Sequence, residues 1–220
     1  MERTITVSGM GKVSVSPDRV VLTMTVEVKD KMYQKAVDGA SRKIAKLREA
    51  FEPLGFDADA LKTESFAVRS DYRFHTDKKG NHAHVFDGFV CTHQLSLGFD
   101  FCTDLLGRAI SVISESLSNP QLDIKFTVSD SESVCSEVIA DAARNARARA
   151  QVLCEASGTT LGKLVKIDYN IKQIDVFSRI DFRLDNDVCC EPQLVRCTDM
   201  NITPSDIDVC DNVTFVWEIE

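Results

Sequence analysis

The chain has 220 residues, 44% hydrophobic and 27% charged, with a formal net charge of −8. This composition supports a packed core and excludes an intrinsically disordered chain. Its basic residues are scattered through an acidic background, which argues against nucleic acid or an anionic membrane as a partner, and no apolar run approaches the ~20 residues needed to span a bilayer.

From Thr4, the odd positions Ile5, Val7, Val13 and Val15 are apolar and most even ones polar, the period of a half-buried strand. Gly9 and Gly11 lie on the apolar side and suggest a bulge or a close backbone approach. After Pro17-Asp18 the phase switches to Val20, Leu22, Met24, Val26 and Val28, and the two strands are expected to form a hairpin. The period then changes. Tyr33, Val37, Ala40, Ile44, Leu47, Phe51 and Leu54 fall on one helical face, with Asp30 as the expected N-cap and Pro53 to Gly55 as the stop.

A third strand is expected from about Leu61 to Tyr72, a polar turn over His75 to His82, and a long fourth strand with Val85, Phe89, Cys91, His93, Leu95, Leu97, Phe99 and Phe101 on one face. Leu106, Ala109 or Ile110, Ile113 and Leu117 mark a second helix, and Leu122, Ile124, Phe126 and Val128 a fifth strand. Ser131 to Ser157 reads as the longest helix, with Cys135, Ile139, Ala142, Ala146, Ala150 and Leu153 inward and Gly158 as its C-cap. Strands at Leu164 to Ile171 and Ile207 to Ile219 close the chain. The order implies an α+β fold, an antiparallel or mixed sheet of hairpins with about three helices packed on one face. We read 1–220 as a single domain with an irregular segment at about 172–204 that forms a loop, a lid or an intersubunit arm.

Met1 is followed almost at once by the strand at Thr4, leaving no room for a secretion leader, so the expected compartment is cytoplasmic. In that setting the eight cysteines are free thiols. Cys91, Cys102, Cys135 and Cys154 read as small buried hydrophobes within strand or helix patterns.

An ordered series resembles the SIMPL-domain family: Ile5-Thr6-Val7-Ser8-Gly9-Met10-Gly11, Pro17-Asp18, Leu61-Lys62-Thr63-Glu64-Ser65-Phe66, Asp87-Gly88-Phe89-Val90 and Ile124-Lys125-Phe126. It continues with the alanine-rich helix from Ala142 to Ala150, Ser157-Gly158-Thr159-Thr160-Leu161-Gly162 and Ile202-Thr203-Pro204. The resemblance spans nearly the whole chain. It implies an α+β domain, a tendency in some members to build large closed homo-oligomers, and a loose link to stress tolerance. It supplies no catalytic motif, and the chain departs from exported members in lacking a leader.

Four constellations bear on chemistry. Gly9-Met10-Gly11 lies within a strand pattern, is followed by a strand and lacks the third glycine of a dinucleotide loop. His75, His82, His84 and His93, with Cys91, have the ligand types for a transition metal but read as a solvated hairpin tip plus one core histidine. Cys189, Cys190, Cys197 and Cys210 lack Cys-x-x-Cys spacing, and no Lys or Arg cluster surrounds Cys189 and Cys190 to activate a thiolate. Gly-x-Ser-x-Gly is absent, and the sequons at Asn201 and Asn212 carry no meaning without export.

We therefore expect no catalytic, cofactor-binding or metal-binding residues and no cofactor. The expected function is self-association into a homo-oligomer through an edge strand, the small-residue helix or the 172–204 segment. The alternatives are an adaptor that binds another protein, and a thiol-based redox sensor or uncharacterised enzyme.

Overall fold

The computed structural model describes residues 3–76, 82–116, 121–170, 176–180 and 202–220. In chain order they form β1 (Thr4–Val15), β2 (Arg19–Asp30), α1 (Tyr33–Phe51), β3 (Leu61–Thr76), β4 (His82–Asp100), α2 (Thr103–Ser116), β5 (Gln121–Thr127), α3 (Ser131–Ser157), β6 (Leu161–Asp168), β7 (Phe177–Ile180) and β8 (Ile207–Ile219). The fold class is α+β. The strands make two sheets, a three-stranded one in the order β1-β8-β6 and a five-stranded one in the order β3-β4-β2-β5-β7.

The expected hairpin of the first two strands does not form. β1 pairs antiparallel with β8, and β2 pairs antiparallel with β4. The Pro17-Asp18 turn is instead tied to the chain after β5. The Asp18 carboxylate accepts from both the Ser129 amide and the Ser129 hydroxyl at 2.7 Å, and the Asp18 amide donates to the Thr127 carbonyl at 3.2 Å.

Two compact units result. One comprises Arg19–Phe126 with 179–203, and the other Met1–Asp18, Thr127–Ser178 and Pro204–Glu220. In the first, β2 buries Val20, Leu22, Met24 and Val26, as its period predicts. These pack with Leu95, Leu97 and Phe99 of β4, Ile44, Leu47 and Phe51 of α1, and Leu106, Ile110 and Ile113 of α2. Each such side chain, fully buried, stabilises the fold by about 1.5–3 kcal/mol. α1 begins two residues later than Asp30 would place it. Asp30 Oδ1 accepts from the Met32 amide at 2.8 Å, and Met32 is the residue that precedes the first helical turn.

In the second unit, α3 has the expected ends. Asp130 caps it by accepting from the Ser133 amide at 2.9 Å, and Gly158 closes it. Its buried row is Val134, Val138, Ala142, Ala146, Ala150 and Cys154, a strict four-residue spacing, whereas Leu153 is exposed. A four-residue row winds around a helix instead of running along its axis. The physical cause lies on β1. A β-carbon at Gly9 would collide with the Ala142 carbonyl oxygen and stand 2.6 Å from the Ala146 nitrogen, and one at Gly11 would collide with the Val138 carbonyl oxygen. The two glycines thus cut a backbone-deep groove into which α3 sinks.

Of the 172–204 segment, the structure describes Val176 and β7 at one end and residues 202–204 at the other. Its central part lies outside the described residues, as does Leu117, expected on the second helix.

Candidate functional site: an aromatic hairpin arm and two sheet edges

Among the described residues, the histidines and cysteines are not brought together into one cluster. Gly9-Met10-Gly11 lies within β1 under α3. His93 lies on the same side of β4 as buried Cys91, its Nε2 2.9 Å from the Thr63 hydroxyl and its ring edge-on to Phe66 at 5.3 Å. Burial, and then the nearby Arg48 guanidinium, holds its pKa below the ordinary 6.5. His84 instead lies against Phe74, with ring centroids 4.1 Å apart and the planes tilted by 55°. The side chains of His75 and His82 lie outside the described residues. Among the described residues, no group of three or more His, Cys, Asp or Glu side chains is placed to hold a metal ion.

Cys91 and Cys154 are buried as expected, but Cys102 is exposed. It lies just before α2, where its carbonyl accepts the Leu106 amide at 2.9 Å, so its strand-like position in the sequence gives it no cover. Cys189, Cys190 and Cys197 lie outside the described residues, and Cys210 is exposed on β8. A cleft of about 320 Å³ at the C-terminal end of α3 is lined by Arg147, Gln151, Cys154, Glu155, Thr159, Thr160 and Leu161. Its lining contains no histidine, and Gln151 Nε2 already donates to Glu155 at 3.3 Å.

A different surface stands out in the Arg19–Phe126 unit. β2 ends at Asp30, opposite Phe89, but β3 and β4 continue beyond it, from Tyr72 opposite Phe86 to Thr76 opposite His82. The register breaks between Asp71 and Tyr72 and leaves Asp87 bulged. Gly88 makes this possible with φ 132°, and a β-carbon there would stand 2.8 Å from the Asp30 carbonyl oxygen. The bulge shifts the phase of β4. Phe86 and His84 therefore join the face of Phe89, opposite Tyr72 and Phe74 of β3.

That face is aromatic and open. Tyr33 contacts Phe89 at 5.7 Å, Phe89 contacts Phe86 at 5.2 Å, and Phe86 contacts Tyr72 at 5.8 Å, all edge to face. Phe74 is 73% exposed and Tyr72 55%. A two-stranded ribbon is at best marginally stable in water by itself, and large contiguous apolar patches are uncommon on the surface of a soluble monomer. The even-position run Phe66, Val68, Tyr72 and Phe74 was a signal for it, as was Asp87-Gly88, whose phase change brings Phe86 across.

Behind the bulge the surface is charged. Lys29 Nζ bonds Asp71 Oδ2 at 2.6 Å and Asp87 Oδ2 at 2.5 Å, with Arg73 Nε 3.9 Å from Asp87. The Lys29 hydrogen bonds hold both carboxyls below the ordinary 3.8, and the two carboxylates raise Lys29 above 10.5. The carboxylate contribution is full above pH 3.8 and is lost as pH falls through the lowered folded values. That of Lys29 is full below pH 10.5 and is lost as pH rises through its raised value. All three groups are solvated, so the effect on stability is small. Carboxyl-carbon NMR titration is expected to show Asp71 and Asp87 titrating below 3.8, and Lys29→Met to return both toward it. Unmoved titrations would remove Lys29 as the cause.

In the other unit the two edges of the three-stranded sheet differ. On β1, Lys12 donates its amide to Asp141 Oδ2 at 3.2 Å, and the Met10 carbonyl accepts from Asn145 Nδ2 at 2.9 Å. Two side chains of α3 thereby occupy edge groups that would otherwise pair with another strand. No such bond engages β6 among the described residues, and Leu164, Val165 and Ile167 are each about half exposed.

The geometry defines an α+β class of protein, and no described helix is long and apolar enough to cross a membrane. The chain belongs to the SIMPL family, described as a protein of unknown function (DUF541), which it matches over residues 5–217. It is 24% identical, over 166 residues, to the 26 kDa periplasmic immunogenic protein of Brucella melitensis biotype 1 and to that of Brucella abortus strain S19. The match covers 74% of this chain and 65% of each relative.

These relatives overturn the cytoplasmic expectation, since both are named as periplasmic proteins. That expectation rested on the residues ahead of Thr4, and a leader is cleaved from an exported protein, so the start of a chain does not define its compartment.

Proposed function

We propose that this chain is a non-enzymatic, self-associating SIMPL protein and that the aromatic face of the β3–β4 arm is the surface that self-associates. One observation carries the reading: Tyr72, Phe74 and Phe86 form an exposed apolar face on a ribbon that extends beyond the third strand of its own sheet. Burying such rings against a second copy removes apolar area from water and gives a two-stranded ribbon the packing it lacks alone. The reading takes its setting, the periplasm, from the names of the Brucella relatives.

Light scattering behind a sizing column gives the absolute mass. An assembly whose mass is unchanged by reductant is the expected result, because rings and not thiols form the contact. A monodisperse monomer at micromolar concentration would end the proposal.

A further inference from the structure

We infer that β6 pairs with β6 of a second copy across a twofold axis at Ile167, joining two three-stranded sheets into one of six. This deepens the self-association reading by naming a second surface, independent of the aromatic arm. Backbone parity along β8 fixes which groups of β6 are free. The Ile219 amide donates to the Arg3 carbonyl, whereas Glu220 and Thr160 exchange bonds at 2.8 and 3.0 Å. Odd residues of β8 therefore bond toward β1, and even ones toward β6.

Val216 and Thr214 face Lys166 and Asp168 in the β6 register, while Phe215 faces Ile167. The backbone groups of Lys166 and Asp168 are consequently spent on β8, and those of Ile167 point away from it, to an edge that no described strand covers. An antiparallel strand centred on Ile167 would exchange both its bonds there.

Charge selects the occupant. Lys166 and Asp168 lie on the face of the sheet opposite Ile167 and are bonded to each other at 2.6 Å. With Ile167 opposite Ile167 of the second copy, each Lys166 lies opposite an Asp168, making a four-charge square of alternating sign. Centring one residue earlier would place Lys166 against Lys166, and one residue later Asp168 against Asp168. Edge charges that discourage an arbitrary strand thus favour this copy in this register. On the other face, Ile167, 52% exposed, meets its own counterpart beside Phe215. The β1 edge is already engaged at Lys12 and Met10, by Asp141 and Asn145.

The test uses the full chain. Lys166→Asp surrounds the axis with four carboxylates and is expected to weaken β6 pairing about tenfold or more by sedimentation. The exchange K166D/D168K restores opposite signs and is expected to restore pairing. Ile167→Cys is expected to give a 167–167 disulfide under mild oxidation, located by peptide mass mapping, because directly opposed residues fall within disulfide reach.

If the assembly persists in Lys166→Asp without loss of affinity, or if the exchanged pair fails to recover, the β6 inference fails while self-association stands. If the unmodified chain is a monomer at every concentration tested, both fail together.

Discussion

Gly9→Ala and Gly11→Ala are each expected to destabilise the Met1–Asp18, Thr127–Ser178 and Pro204–Glu220 unit by about 3 kcal/mol, at the upper end of overpacking costs. The obstruction is backbone. A methyl at Gly11 meets the Val138 carbonyl, and one at Gly9 meets the Ala142 carbonyl and the Ala146 nitrogen, so no rotamer change relieves either. α3 would have to lift away from β1, opening the cluster of Val7, Ala142, Ala146, Val213, Phe215 and Trp217.

Trp217 is buried and stacked on Phe215 at 5.3 Å, which makes its fluorescence a local reporter. A red shift and a fall in melting temperature of roughly 6–12 °C are expected. Gly98→Ala is the control, since its nearest obstruction is the flexible Arg19 guanidinium at 3.4 Å. Shrinking Ala142 to glycine should not rescue Gly11→Ala, because the colliding atoms belong to the main chain. Wild-type melting of either variant would show that α3 is not seated in this groove.

The second large effect concerns assembly and leaves folding nearly intact. Phe74→Ser with Phe86→Ser removes the two exposed phenyl rings of the arm, and exposed apolar groups contribute little to the monomer. The melting temperature of the monomer is therefore expected to stay within about 2 °C. Each ring buried in a contact between copies contributes about 2 kcal/mol, so losing two weakens each contact by roughly a thousandfold. Light scattering would show the mass falling toward the monomer. A charge-only change at the same end, Lys29→Met, should leave the mass unaltered. An unchanged mass in the phenylalanine double variant would remove the arm from the interface.

Several elements were legible because their patterns are local. The even-position run from Val20 to Val28 sets the buried face of β2 whatever strand lies beside it. The C-terminal end of α3 was readable because Gly158 carries its own capping chemistry. The glycines of β1 suggested either a bulge or a close backbone approach, and nothing local decided between the two or said what approaches.

Other features were not local. Leu153 was expected inward and is exposed, because the buried face of α3 follows the groove at Gly9 and Gly11, 131 to 133 residues upstream of Ala142. Cys102 was read as a small buried hydrophobe, yet it falls between the end of β4 and the start of α2 and is exposed.

The sequence by itself determined the kinds of element, most of their inward faces, the α+β class and the family to which the chain belongs. Only the tertiary structure decided partnership: that β1 joins β8 and not β2, that α3 guards the β1 edge at Met10 and Lys12, and that a bulge at Asp87 turns Phe86 onto the face of Tyr72 and Phe74. The physical reason is that side-chain period records which face of an element is dry. Hydrogen-bonding edges are made of backbone groups common to every residue, so pairing is set by long-range geometry that no local pattern encodes.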